Sequence, residues 1–574
     1  MLWWKGKLYV GTGRATFCLH AWGYHELYPL LFRYPPPDPR MQCTENPRDL
    51  PLQAEIWRYT PETATWERVF QSPNNARSLR YPRTLTARDA GFRNLIAFTE
   101  PDGTEALYAL GITSELIFPN IGPPRLLRTT DGAHWAPVPQ DRGTVLGDLG
   151  QGQANLRAAE VYKGRLYMVA GDLLGAGRLL ESADKDGNPT NPKDGNNSFR
   201  FVTPPEMEVY ELATYHGYLY LGLKTDEGYA VVKTDATGTP PYTFTTVVDK
   251  GGYAGVLLPP GDFLSNTLGP DAAAIVDTWA SFNLTDLLNL ATLLGGDSAP
   301  SPDLFVSASV VSMYVYKDSL YAGTHKPAQL LRINPDDSWD VIVGKPRETP
   351  AGWKVPLSGL GSGFDYGSTN HIHRMGEHQG KLYVSTNDGT GILWDMVVGE
   401  EPPFVNAFLG LNLRGFDLYV TEDGEQFTLL TLTGFDHPFD NVMRVFASSP
   451  FGLFGGTING WEQGLRVYVG NAAPAALAAP ADLTLEGSGR KPKLSWQPVP
   501  QKQLYRVFRT EVLDNDPAFR ELGTTPEPFF EDKTVKILRV YHYYVVAEDA
   551  AGSRSAPSNL VRWPSLLTPP PTTP

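Results

Sequence analysis

The sequence predicts an all-β chain: a β-propeller of about seven blades with a helical insertion, followed by a smaller β-sandwich. Three observations predict it. A strand containing Leu-Tyr recurs along most of the chain, turn residues punctuate short apolar segments throughout, and a Pro/Ala-rich linker sets off a final segment with its own alternating core strand. Gly (56) and Pro (50) are abundant in the 574 residues, as expected where short strands meet at tight turns. Tyr (27), Phe (26) and Trp (13) suit half-buried pleated surfaces. A chain of this length calls for two or more folded units unless a repeat absorbs the length.

The repeat begins with Lys7-Leu8-Tyr9-Val10-Gly11-Thr12 and returns at Leu107-Tyr108, Leu166-Tyr167, Leu219-Tyr220, Leu320-Tyr321 and Leu382-Tyr383. Gly452-Leu453-Phe454-Gly455-Gly456-Thr457 is a seventh copy with Phe for Tyr. After most anchors come a third strand, such as Ile56-Trp57-Arg58-Tyr59, a turn, and a fourth strand headed by an aromatic. Four antiparallel strands repeated about seven times are a propeller pattern. The turns Thr129-Thr130-Asp131-Gly132-Ala133-His134-Trp135 and Thr421-Glu422-Asp423-Gly424-Glu425-Gln426-Phe427 resemble degenerate Asp-box repeats, one residue short between Asp and aromatic. Tyr59-Thr60-Pro61-Glu62-Thr63-Ala64-Thr65-Trp66 is similar to the corresponding turn of kelch repeats, and Asn370-His371-Ile372-His373-Arg374-Met375 resembles an uncharacterised group of bacterial propellers. These resemblances imply a fold over residues 1–470 rather than an activity.

The intervals Leu8–Leu107 and Leu219–Leu320 are nearly twice the usual spacing, so each holds roughly 40–50 extra residues. The first insertion, about residues 13–52, reads as irregular and contains Cys18 and Cys43, the two cysteines of the chain. We expect them to be bonded, closing a loop worth ~3 kcal/mol in the chain-entropy model; the alternative is two thiols of a reducing compartment. The second, about residues 252–306, places Leu284, Leu287, Leu288, Ala291 and Leu294 on one helical face and predicts a helical hairpin.

Residues 471–480 read as a linker and 566–574 as a Pro-rich tail. Between them, 481–565 resembles a fibronectin type III domain: Leu494-Ser495-Trp496 supplies a core tryptophan, and Tyr541, Tyr543, Val545 and Ala547 alternate, with Tyr541 placed for the tyrosine corner. No Arg-Gly-Asp tripeptide is present.

The formal net charge of −14, without a Lys/Arg run, argues against nucleic acid as a partner. No apolar stretch is long enough to span a bilayer, and the first residues do not form a signal peptide. The composite architecture still suggests a secreted or cell-surface protein. The first blade has almost no inner strand and the last ends after its third, which leads us to expect an upstream segment of ~15–20 residues in the natural chain.

No cofactor is expected. Gly359, Gly361 and Gly363 lack the helix a phosphate cradle needs, and no zinc motif occurs. Calcium is the one ion with any motif behind it: Asp184-Lys185-Asp186-Gly187-Asn188 spaces oxygen ligands alternately but lacks the remaining EF-hand positions, so it reads as a solvated turn.

Aligned on the anchors, Arg157, His373 and Arg444 occupy matching inner-strand positions, so they converge on the channel. His371 and His373 are expected on one face of their strand and Arg374 on the other, with Glu211 and Asn441 as polar partners. These groups either satisfy one another and channel water or bind an anionic ligand such as an acidic sugar. The Asp-box resemblance raises the sialidase family, whose three arginines have candidates in Arg157, Arg374 and Arg444; its nucleophilic tyrosine is not identifiable and its Arg-Ile-Pro tripeptide is absent. The leading reading is a non-catalytic recognition protein for a glycan or protein ligand, with the fibronectin-like unit as spacer. A glycan-processing hydrolase or lyase is the alternative, and a structural module the third.

Overall fold

A computed structural model describes residues 1–27, 29, 33–36, 41–78, 83–114, 121–150, 153–171, 176–225, 228–249, 309–325, 327–349, 352–366, 369–388, 415–470, 477–487, 491–512, 518–536 and 539–565. The expected helical hairpin within 252–306 and the tail 566–574 lie outside the described residues.

The chain is all-β. Among the described residues, seven antiparallel sheets succeed one another, with inner strands Leu2–Trp4, Gly91–Thr99, Asn155–Tyr162, Glu208–Tyr215, Ser309–Tyr316, Thr369–His378 and Val442–Ser449. Each inner strand turns back into a second strand that carries the Leu-Tyr (or Leu-Phe) anchor, and the meander continues outward to a fourth strand in the first six sheets. The seventh sheet has three strands among the described residues. Neighbouring sheets are stitched where one second strand ends and the next inner strand begins, as at Ile112 with Asn155, Lys224 with Ser309, His325 with His371 and Asn387 with Val442. Inner strands contact their neighbours in chain order and the first also contacts the last, so the sheets form a ring.

The anchor dipeptide explains the ring. Successive strand residues point to opposite faces, so Leu packs against the preceding sheet and Tyr against the following one. Leu219 lies in the apolar cluster with Tyr167 and Val209, whereas Tyr220 lies in that with Val310 and Leu331. Leu166 and Tyr167, and Leu320 and Tyr321, divide in the same way. The last gap is filled by Leu8, Val10, Ala447 and Phe454, with Trp3 stacked on Phe454 at 6.3 Å. The Asp-Gly turns receive these tyrosines. Asp131 accepts the backbone N–H groups of Ala133 and His134, both at 2.8 Å. Gly132 has φ +72°, and a Cβ there would stand 1.9 Å from the Tyr9 hydroxyl; Gly424 meets Tyr321 in the same way. Trp66, the aromatic heading the fourth strand of the first sheet, lies on Tyr59 at 4.8 Å and stays 43% exposed.

The first insertion is not irregular throughout. Thr16–Leu27 is a helix, here α1, and Cys18 on it is disulfide-bonded to Cys43 with Cα atoms 5.6 Å apart. Its apolar residues fall on several faces because it is buried on several sides, against Leu50, Ala76, Ile121 and Trp461.

The C-terminal segment is a two-sheet sandwich. Thr484–Glu486, Lys493–Ser495 and Phe529–Glu531 form one sheet. Arg520–Thr525, Leu504–Glu511, Tyr541–Glu548 and Val561–Trp563 form the other. Trp496 packs edge-on to Tyr505 at 5.1 Å in the core, and the Tyr541 hydroxyl accepts the Lys536 N–H at 3.1 Å. No helix among the described residues is long and apolar enough to cross a membrane.

Candidate functional site

Six inner strands carry a β-bulge near their start, where one extra residue is left unpaired and its side chain re-aimed. The bulged residues are Arg93, Arg157 (with Ala158), Tyr210, Val311, His373 and Arg444. Each lies four positions before the residue paired with its anchor leucine, so all six stand at one level of the ring. Pairing also places the inner-strand starts at the end of the sheets from which the first insertion departs.

The side chains at this level interlock. Arg157 donates Nε to the Tyr210 carbonyl at 3.1 Å and lays its guanidinium on the Tyr210 ring at 3.5 Å. Arg374 pairs with Glu211 at 3.0 Å. Arg93 donates to Asn155 Oδ1 at 3.2 Å. Arg444 Nη1 donates to His373 Nε2. His371 stacks on His325 with ring centroids 3.8 Å apart, and its Nδ1 is 3.3 Å from Asn387 Nδ2. Asn441 is buried just before the seventh inner strand, its N–H donated to the Ile458 carbonyl at 3.1 Å.

His371 and His373 lie together, with ring centroids 5.4 Å apart, but Arg374 does not turn away as expected, for a physical reason. Two bulges, between Thr369 and His371 and between Ile372 and Arg374, break the period of two, so Arg374 also reaches the site and meets Glu211 of the fourth inner strand.

The electrostatics are those of crowded cations. Burial lowers Arg157 to about 10, with Arg93 and Arg374 adding to the shift against the opposing pull of Tyr210 and Glu211. Burial, then Arg93, Arg157 and Arg374, depress Arg444 well below the usual arginine range. Burial, then Arg444, His371, Arg374 and Arg157, hold His373 well below the usual histidine range. With Nε2 accepting from Arg444, the proton of His373 sits on Nδ1. His373 Nδ1 and Arg444 Nη2 are buried and have no partner among the described residues. Burial and the neighbouring Glu211 raise Glu160, on the third inner strand, to about 7. Helix α1 belongs to the same surroundings, since burial and the Arg93 charge lower His20 to about 4.

Arg93, Tyr210, Glu160 and His20 were not singled out from sequence. Arg93 stands further from its anchor than the other bulged residues because its hairpin turn, between Thr99 and Glu105, is longer; counting from paired residues would have found it. Asp184, in the motif weighed for calcium, accepts the N–H groups of Asp186 and Asn188 at 2.9 Å and so closes its own turn. Among the described residues no cluster of three His, Cys, Asp or Glu side chains is disposed to hold a metal.

No family profile matches the chain, and no curated protein matches it. Among solved structures, an Fn3-like protein from Clostridium thermocellum is 23% identical over 15% of this chain and 92% of its own, with a TM-score of 0.14. The fibronectin type-III domain of human fibronectin type III domain containing protein 3 is 19% identical over 18% of this chain and 100% of its own, TM-score 0.14. Pectate lyase PelI from Erwinia chrysanthemi, in complex with tetragalacturonic acid, is 18% identical over 15% of this chain but only 28% of its own, TM-score 0.14.

Proposed function

We propose that the ring is a seven-bladed β-propeller, the sandwich a fibronectin type III-like unit, and the whole a secreted or cell-surface recognition protein. Its ligand is an anion, an acidic sugar by class, held at the level of the bulged residues. One observation carries this reading: Arg444 Nη2 and His373 Nδ1 are two buried donors without a partner among the described residues, beside three further arginines. Buried donors are costly unless satisfied, and a site with excess donors and excess positive charge favours an oxyanion. Glu211 neutralises one arginine and leaves the cluster cationic. A glycan array tests this. Retention of uronate- or sialate-bearing glycans with neutral glycans ignored supports it; indifference to charge contradicts it.

A glycan hydrolase is the second reading, and Glu160 favours it. A carboxyl raised to about 7 by burial and by the charge of Glu211 holds a proton in the range that general acid catalysis uses. Turnover of chromogenic glycosides, lost in Glu160→Gln, would move the assignment to an enzyme.

A further inference from the structure

The loop leading into the sixth inner strand holds three successive residues in the left-handed region: Gly363 (φ 63°), Phe364 (φ 56°) and Asp365 (φ 71°). Two of them are not glycine, and such conformations persist only where the surroundings over-determine them. Part of the restraint comes from the ring. Phe364 stacks on Tyr419 at 3.7 Å and edge-on to Phe427 at 5.2 Å, and the Gly363 N–H is donated to the Ala328 carbonyl at 2.7 Å.

The rest comes from the sandwich. Asp365 accepts His542 Nε2 at 2.9 Å and Arg562 Nε at 2.7 Å, and the three side chains are 2%, 0% and 7% exposed. The His542 ring stands edge-on to Tyr366 at 5.5 Å. Val512, Val540 and Leu560 join one apolar cluster with Leu360, Phe364, Tyr366 and Ile372, and the Leu560 N–H is donated to the Phe427 carbonyl at 2.6 Å.

Thr369, whose N–H is donated to the Tyr366 carbonyl at 3.1 Å, starts the doubly bulged strand that delivers His371, His373 and Arg374. Ile372, between the two histidines, lies in the shared cluster. We infer that the C-terminal sandwich is a positioning unit for the central site rather than a spacer: His542 and Arg562 hold Asp365, and through it the register of the sixth inner strand. Asp365, His542 and Arg562 are positioning residues and do not touch the ligand. The ligand-binding arm of the test rests on the anion reading above; the exchange arm does not.

The test uses the full chain and D-glucuronate as probe. Wild type, Arg562→Ala and Arg562→Lys are compared by calorimetric titration and by hydrogen exchange of peptides spanning 369–378 and 155–162. The expected result is at least a tenfold loss of glucuronate affinity in Arg562→Ala and recovery to within about threefold in Arg562→Lys. Exchange should quicken over 369–378 while 155–162 is unchanged. Unchanged affinity with an opened junction, or exchange that quickens equally in both strands, overturns the inference. If Arg562→Ala fails to fold, Asp365→Asn replaces it with the same expectations. If the wild type binds no glucuronate, the anion reading fails and the exchange comparison alone decides the positioning claim.

Discussion

The insertion within the first sheet and the sandwich at the sixth both brace the ring, but the sandwich adds a buried ionic contact to its apolar one. The insertion reaches from the second sheet to the seventh. Arg14 N–H is donated to the Ala90 carbonyl at 3.3 Å, Phe17 N–H to Gly460 at 2.8 Å, and Thr44 to Glu462. Phe17 packs edge-on to Trp461, and the Cys18–Cys43 bond ties the piece to itself. What it buries is mostly apolar. Beside the apolar contacts of Val512, Val540 and Leu560, the sandwich buries a carboxylate between two basic groups. An apolar, cross-linked brace loses strength in proportion to what is removed. A buried ionic brace is intolerant of losing a single member, because the remaining charge stays behind without a partner. The difference places fine control of the site at the sixth sheet and bulk closure at the first.

The largest effect is expected at the junction. Asp365→Ala leaves His542 and Arg562 facing each other in the interior and should cost about 3–5 kcal/mol in urea unfolding. Replacing all three together by apolar residues (Asp365→Ala, His542→Leu, Arg562→Met) should be much milder. If the single and triple variants lose the same stability, the charge argument is wrong and only packing matters.

The disulfide comes next. Cys18→Ser with Cys43→Ser removes at most ~3 kcal/mol on the chain-entropy account, and the Phe17 and Thr44 contacts should keep the actual loss below that. Faster proteolysis within 16–52, with melting of the sandwich unaffected, is the expected readout. A loss as large as that of Asp365→Ala would erase the distinction between the braces.

Reading the sequence reached the ring more easily than the braces. The Leu-Tyr anchors are legible because a period of two sends adjacent residues to two different sheet interfaces. Arg157, His373 and Arg444 followed from counting back to a shared register. Tyr210 at the same register passes for a core aromatic, and Arg93 is displaced by its long hairpin turn. The bulges that turn Arg374 into the site leave no local mark, nor does the pairing of Asp365 with His542 and Arg562, which come from a separate part of the chain. Helix α1 escaped because a helix buried on several sides shows no single apolar stripe.

The smallest effect separates the braces from the site they frame. Glu160, raised to about 7, has a higher pKa folded than unfolded, so its protonated form favours folding and that contribution is lost as pH rises through about 7. Glu160→Gln should therefore melt a few degrees above the wild type at pH 8 and alongside it near pH 4. Identical pH profiles of the two proteins would show that Glu160 is solvated rather than enclosed with Glu211.

The most direct measurement of the central claim is calorimetric titration of wild type and the Arg157→Ala/Arg444→Ala variant with D-glucuronate and with glucose. A cationic ring centre predicts that the wild type takes up glucuronate and ignores glucose. The variant should lose at least tenfold in glucuronate affinity while its thermal midpoint stays within a few degrees. Equal affinity for the two sugars, or glucuronate binding that survives removal of both arginines, would contradict the account.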